Sequence, residues 1–198
     1  MPRVIGLTGG IASGKSEISR ILREHGLPVI DVDGVAHEVL ATDEGIKRKV
    51  AAAFGPEVLT AGGAIDRQRL GTIIFRDAER RRDLERILHP MIGSVLRQRT
   101  QEADDIVVLD MPLLIELGEH ELVDVVVVVY ATREHQIQRL MERDGLTREE
   151  AMQRIETQLP LGEKVLHADY VINNNGSLQD TEVQVLRLYQ ALRENKKS

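Results

Sequence analysis

The chain has 198 residues and a formal net charge of −6, with 42% hydrophobic but only 3% aromatic residues. That length fits one compact core with insertions better than two independent domains. The aliphatic interior offers no platform for stacking on single-stranded nucleic acid, and the acidic balance gives no broad field for nucleic acid or anionic lipid.

Cysteine is absent, which removes disulfides, thiolate nucleophiles and Cys-based zinc sites. A reducing compartment fits, so a cytoplasmic protein is expected. The opening segment meets Gly6, Gly9 and Gly10 too soon for a signal-peptide apolar stretch. The longest apolar run, Val125 to Ala131, is far short of the roughly 20 residues that a membrane helix needs.

In chain order, short Val- and Ile-rich runs at Val4-Leu7, Val29-Ile30, Ile106-Leu109, Val123-Val129 and Tyr170-Ile172 read as strands. They are continuous rather than alternating, which predicts burial on both faces and a parallel sheet covered by helices, an α/β fold. A helix is predicted to open at Gly14, bury Ile18, Ile21 and Leu22, and stop at Gly26. Two inter-strand gaps exceed simple crossovers. The first, 34–105, reads as mostly helical with a turn at Ala61-Gly62-Gly63. The second, 133–165, reads as a helical pair joined near Asp144-Gly145. Thr147 with Glu150 fits a capping box, and Ser177 with Asp180 makes a weaker copy before the last helix. The Lys196-Lys197-Ser198 end is expected to fray.

Gly9-Gly10-Ile11-Ala12-Ser13-Gly14-Lys15-Ser16 matches G-x-x-x-x-G-K-[ST] between a strand and a helix, the context a phosphate loop requires. Its backbone N–H groups and the helix N-terminus would cradle phosphate, Lys15 would reach the β- and γ-phosphates, and the Ser16 hydroxyl would ligate Mg²⁺. Asp110 ends a strand where a carboxylate could bind Mg²⁺ through water, or could simply start a turn. No Asn-Lys-x-Asp motif selects guanine, and no strand ends in Asp-Glu, which disfavours switch and motor readings. Asp31-Val32-Asp33 follows the second strand candidate, where ligands of such sheets bind. Strand alternation would put both acids on one side. Asp33 could take the proton of an acceptor hydroxyl, or merely cap the following helix.

The blocks Leu7-Thr8-Gly9-Gly10-Ile11-Ala12-Ser13-Gly14-Lys15-Ser16 and Val29-Ile30-Asp31-Val32-Asp33 resemble the dephospho-coenzyme A kinase family. So do Ile65-Asp66-Arg67 with Leu70 and Phe75, Leu88-His89-Pro90, Pro112-Leu113-Leu114-Ile115-Glu116, Arg139 to Asp144, and Asn173-Asn174-Asn175-Gly176. The resemblance spans nearly the whole chain. It implies a P-loop NTPase fold with a five-stranded parallel sheet and ATP- and Mg²⁺-dependent phosphorylation of the ribose 3′-hydroxyl of dephospho-coenzyme A. Residues 1–33, 106–132 and 166–198 would form the nucleotide-binding core, 34–105 a helical acceptor-binding insertion, and 133–165 a lid. A monomer or small homo-oligomer is expected.

By the same likeness Asp33 is the general base and Lys15, Arg139 and Arg143 assist transfer. Gly10, Ile11, Ala12, Ser13, Gly14, Lys15, Ser16, Glu17, Asn175 and Gly176 would line the nucleotide. Thr8, Asp31, Asp33, Arg67, His89, Pro112, Leu113 and Leu114 would face the acceptor. Ala12 and Glu17 depart from the family pattern: Ala12 would resist a positive φ, and the Glu17 charge should point away from phosphate. Arg139 and Arg143 share a helix face, where they could neutralise transferring charge or bridge to Glu142 and Asp144. His89 before Pro90 also reads as a helix-boundary residue. Residues 66–99 hold nine Arg and five acidic residues, a local +4. For Arg80-Arg81-Arg82 a solvated helix face is the simpler reading. A kinase of another small hydroxyl acceptor and a nucleotide-gated binding protein remain alternatives.

Overall fold

The computed structural model describes residues 2–194; the Lys196-Lys197-Ser198 end and the Phe75 side chain lie outside the described residues. Contacts divide the chain into two units, Met1–Ile30 with Ala103–Ser198, and Asp31–Glu102.

Apart from Asp31 at the end of β2, the first unit carries strands β1 (Arg3–Gly9), β2 (Val29–Asp31), β3 (Ile106–Asp110), β4 (Val125–Tyr130) and β5 (Tyr170–Asn173). They form one five-stranded sheet in the order β2-β3-β1-β4-β5. The ladders from β1 to β3 and β4, and from β4 to β5, are parallel, with Arg3 opposite Ile106 and Ile5 opposite Val125. β3 and the first five residues of β4 are buried throughout, as continuous apolar runs require in a sheet covered on both faces. β4 starts two residues later than its apolar run.

Helix α1 (Lys15–Glu24) and helix α9 (Leu178–Glu194) supply Ile18, Ile21, Leu22, Val185, Leu188 and Leu192 to one core with Ile5, Leu7, Val108, Val127 and Val129. α1 begins after Gly14, at φ 94°, and ends where Gly26 takes φ 83°. Between β4 and β5 lie α6 (Arg133–Asp144), α7 (Arg148–Ile155) and α8 (Leu161–Val165). The predicted pair is therefore followed by a third, short helix. The Thr147–Glu150 capping box is complete, and Ser177 and Asp180 exchange the same pair of bonds.

The second unit is helical: α2 (Val32–Thr42), α3 (Glu44–Phe54), α4 (Arg67–Arg76) and α5 (Ala78–Gln101), with a 3₁₀ turn at Pro56–Val58. α2, α3 and α4 all pack on α5. Asp43, Asp66 and Asp77 cap α3, α4 and α5 through backbone N–H groups. The Ala61-Gly62-Gly63 turn joins Leu59 to Ile65 in an antiparallel bridge, with Gly63 at φ 79°.

Two expectations are corrected here. α2 starts at Val32 with Asp31 as its N-cap, accepting from Gly34 N–H at 3.1 Å. Asp33 therefore sits in a helical first turn and is not the cap, and strand alternation does not relate it to Asp31. His89-Pro90 marks no boundary either, because Pro90 lies inside the 24-residue α5. Leu84 and Leu88 anchor that helix by burial, which offsets the one backbone bond that proline removes.

Candidate active site

The loop from Gly10 to Gly14 turns off the end of the central strand β1 into α1. Ala12 stands at φ 56°, the one positive-φ non-glycine residue among those described, and Gly14 follows at φ 94°. Left-handed residues in such a turn direct successive N–H groups to one side, a concavity that suits anions. Asp31, Asp43, Asp66, Asp77, Thr132 and Thr147 cap their helices, but no side chain caps α1. The Glu17 N–H turns back to the Gly14 carbonyl at 3.0 Å, and the amides ahead of it keep the positive end of the helix for a ligand.

Lys15 is ion-paired to Asp110 Oδ1, and Asp110 Oδ2 accepts from the Ser19 hydroxyl at 2.6 Å. Asp110 is 7% exposed at the end of β3. Lys15 and Ser19 lie one turn apart on α1, so a single carboxylate fixes both the helix and its lysine. Ser16 is exposed in the same turn as Lys15, and hydroxyl and carboxylate oxygens are the kind of donors that Mg²⁺ accepts. Glu17 turns to Arg20, which holds its carboxyl below the usual range through a hydrogen bond.

The loop is gripped from its far side. Gln136 Nε2 donates to the Ile11 carbonyl at 2.7 Å, and Gln158 Oε1 accepts from Ile11 N–H at 2.7 Å. Ile11 and Ala12 pack against Ile137, Leu140 and Ala151 of α6 and α7. The Ala12 methyl thus gains contacts that offset its strained backbone. Arg139 spreads its guanidinium over the carbonyls of Ala12, Ser13 and Asn174, at 3.3, 3.1 and 2.7 Å. Asn174 Nδ2 donates to the Ser13 carbonyl at 2.8 Å, and Asn174 Oδ1 accepts from the Thr181 hydroxyl at 2.8 Å. A Cβ on Gly14 would stand 2.0 Å from Asn174 Nδ2, so glycine is required there for space as well as for φ. The buried Ser13 Oγ has no hydrogen-bond partner.

The remaining expected site residues divide in two. Arg143 forms two bonds to Asp144, at 2.8 and 2.9 Å, which raise its guanidinium pKa further, and Arg154 joins the same carboxylate at 2.9 Å. Asn175 Oδ1 accepts from Thr132 N–H at 2.7 Å and contacts His135 Nδ1 at 2.8 Å, while Gly176 lies in the turn after β5. Thr8 is fully buried, with its hydroxyl donating to the Pro112 carbonyl at 3.0 Å. Leu114 is 0% exposed and packs over Gly6. Neither has surface to offer an acceptor, so both expectations are corrected to core roles. Leu113 is 39% exposed and Pro112 is half-buried.

Asp31, Asp33, Arg67 and His89 belong to the helical unit, and all four are exposed. Arg67 heads α4, and its Nη2 contacts His37 Nε2 at 2.8 Å. Sequence reading missed Gln136, Gln158 and Lys164, and took Asn174 only as part of a turn. A glutamine on an otherwise apolar helix face was the one available signal, at Gln136.

A parallel sheet with a glycine loop leading into an uncapped helix, and a lysine held at its mouth by a strand-end carboxylate, define a P-loop kinase. The family model described as dephospho-CoA kinase matches residues 3–180. A dephospho-CoA kinase of Geobacillus kaustophilus is 47% identical over 192 residues, 95% of this chain and 96% of that one. A crystal structure from Thermus thermophilus superimposes with a TM-score of 0.85 at 36% identity, covering 96% of this chain and 97% of that one. The dephospho-CoA kinase from Campylobacter jejuni gives 0.73 at 27% identity, with 99% and 100% covered. The chain belongs to the dephospho-CoA kinase family. No helix among the described residues is long and apolar enough to cross a membrane.

Proposed function

We propose that the chain phosphorylates the ribose 3′-hydroxyl of dephospho-CoA with ATP and Mg²⁺, giving CoA and ADP as the last step of CoA synthesis. The observation that carries the reading is the Lys15–Asp110 pair at the mouth of an uncapped α1, in a chain matched along most of its length by the family. The first-turn N–H groups of α1 and the Lys15 ammonium bind and orient the β- and γ-phosphates. Ser16 and, through water, Asp110 would hold Mg²⁺, which supplies charge neutralisation across those phosphates.

Asp33 takes the proton of the acceptor hydroxyl as its oxygen bonds to the γ-phosphorus, while the bond to the β–γ bridging oxygen breaks and ADP leaves. Arg139 supports the loop through its carbonyls and, with Arg143, offers positive charge for the transfer. Ile11, Ala12, Ser13, Asn175 and Gly176 surround the nucleotide, and Arg67, His89, Pro112 and Leu113 contact the acceptor. Residues 34–105 bind that acceptor and 133–165 act as a lid that excludes water. The absence of cysteine and of an apolar span supports a cytoplasmic enzyme.

The test is ADP release coupled to a spectrophotometric readout, with and without dephospho-CoA. Release that depends on dephospho-CoA, with CoA as the product, is expected. Equal release without it would overturn the reading.

A further inference from the structure

The Lys164 side chain is wholly buried. Its ammonium meets the Pro112 carbonyl at 2.8 Å, the Gly9 carbonyl at 3.3 Å and Glu116 Oε1 at 2.7 Å. An ammonium has three donors, and all three are engaged. The acceptors come from separate segments. Gly9 ends β1 where the phosphate loop begins, and Pro112 follows β3 just beyond Asp110. Glu116 Oε1 also accepts from Leu159 N–H at 3.2 Å, in the connector that carries Gln158 to the Ile11 amide.

Burial pushes the Lys164 ammonium below its ordinary pKa, Glu116 pulls it back up, and the charge of Lys15 pushes it down again. The two lysines therefore feel each other's charge. Filling space here would need only an apolar side chain, because burying a charge costs more than it returns unless every donor is met.

We propose that Lys164 is a positioning residue for phosphoryl transfer. By tying the Gly9 carbonyl to the Pro112 carbonyl, it sets the phosphate loop against the strand end whose Asp110 holds Lys15. This deepens the kinase reading above and rests on it.

Full-length Lys164→Met and Glu116→Gln test the assignment. Folding is followed by circular dichroism and thermal melting, binding by a fluorescent ATP analogue, and kinetics by varying ATP and dephospho-CoA separately. Lys164→Met should lower kcat about 10- to 100-fold, as loss of an orienting partner does. It should also weaken analogue binding about tenfold, while the KM for dephospho-CoA stays within about twofold. Glu116→Gln keeps an acceptor for Leu159 and should show the same pattern at about three- to tenfold.

A folded Lys164→Met protein with wild-type kcat and analogue affinity would overturn the proposal, whatever its melting temperature. Should that variant not fold, Glu116→Gln decides alone, and wild-type kinetics there would overturn it. A wild-type chain without acceptor-dependent ADP release would overturn the kinase reading instead, and analogue binding by the variants would still test Lys164.

Discussion

Asn174 and Ser13 stand 161 positions apart and are joined by an amide-to-carbonyl bond of 2.8 Å at a buried site. The residue after β5 therefore fixes the middle of the phosphate loop, and Thr181 fixes Asn174 in turn. Asn174→Ala should destabilise the chain by about 1–3 kcal/mol, because the Ser13 carbonyl and the Thr181 hydroxyl both lose a buried partner. ATP affinity should fall alongside. Thermal melting and equilibrium ATP binding measure both effects, and unchanged values in each would show that the bond carries no weight.

Lys15 and Asp33 are assigned different parts of the reaction, and their variants should separate. Lys15→Ala removes the cation aimed at the transferring phosphoryl group and should cost about 100-fold or more in kcat. Asp33→Asn should lower kcat while leaving ATP affinity within about twofold, because it leaves the loop untouched. Steady-state kinetics with isothermal titration of ATP make the comparison. An Asp33→Asn enzyme with wild-type turnover would exclude it as the base.

At Ala12 two opposed effects nearly cancel. The left-handed backbone costs an alanine about 1 kcal/mol, whereas its methyl is worth about 0.8 kcal/mol against the α6–α7 core. Ala12→Gly is therefore expected to change unfolding free energy by less than about 1 kcal/mol. Ala12→Val, β-branched at a positive φ, should lose about 2 kcal/mol or more. Chemical denaturation of the two variants checks the contrast, and equal losses would contradict it.

Acid should weaken the starts of α7 and α9. Hydrogen bonds from Thr147 hold the Glu150 carboxyl below its ordinary pKa, and bonds from Ser177 do the same for Asp180. A folded-state value below the unfolded one means that this stabilisation is complete above about pH 4.3 for the glutamate and 3.9 for the aspartate. It is then lost as the pH falls through the lower folded values. Glu150→Gln should melt below wild type at pH 7 and approach it at about pH 3. A gap that stays constant across that range would refute the linkage.

The elements were legible wherever local chemistry decides. The five apolar runs, Gly14 and Gly26 at the ends of α1, and the Thr147 capping box each follow from neighbours a few residues away. Asp31 and Asp33 were misread because a strand as short as β2 carries too few residues to show where its period ends. Pro90 misled for the opposite reason: burial of Leu84 and Leu88, set by the other helices of that unit, outweighs a local helix breaker.

In the site, the spacing of the motif alone brings Gly14, Lys15 and Ser16 together. What holds them was not visible. Lys164 stands between Glu163 and Val165 like any surface lysine, and Arg139 and Gln158 meet the loop only after the chain has crossed the sheet. Thr8 and Leu114 lay within recognised blocks, yet packing turned both inward.

The strand order has a consequence for synthesis. β1 sits at the centre of the sheet, but both its neighbours, β3 and β4, are encoded far downstream. β1 has no ladder partner until the chain has been made through Ile106. All of Asp31–Glu102 emerges in that interval, built from helices whose bonds close within a few residues. Closure of long loops slows folding and local contacts speed it. The helical unit therefore has its full sequence before the phosphate loop has a sheet to stand on, and the nucleotide site is among the last parts of the molecule to form.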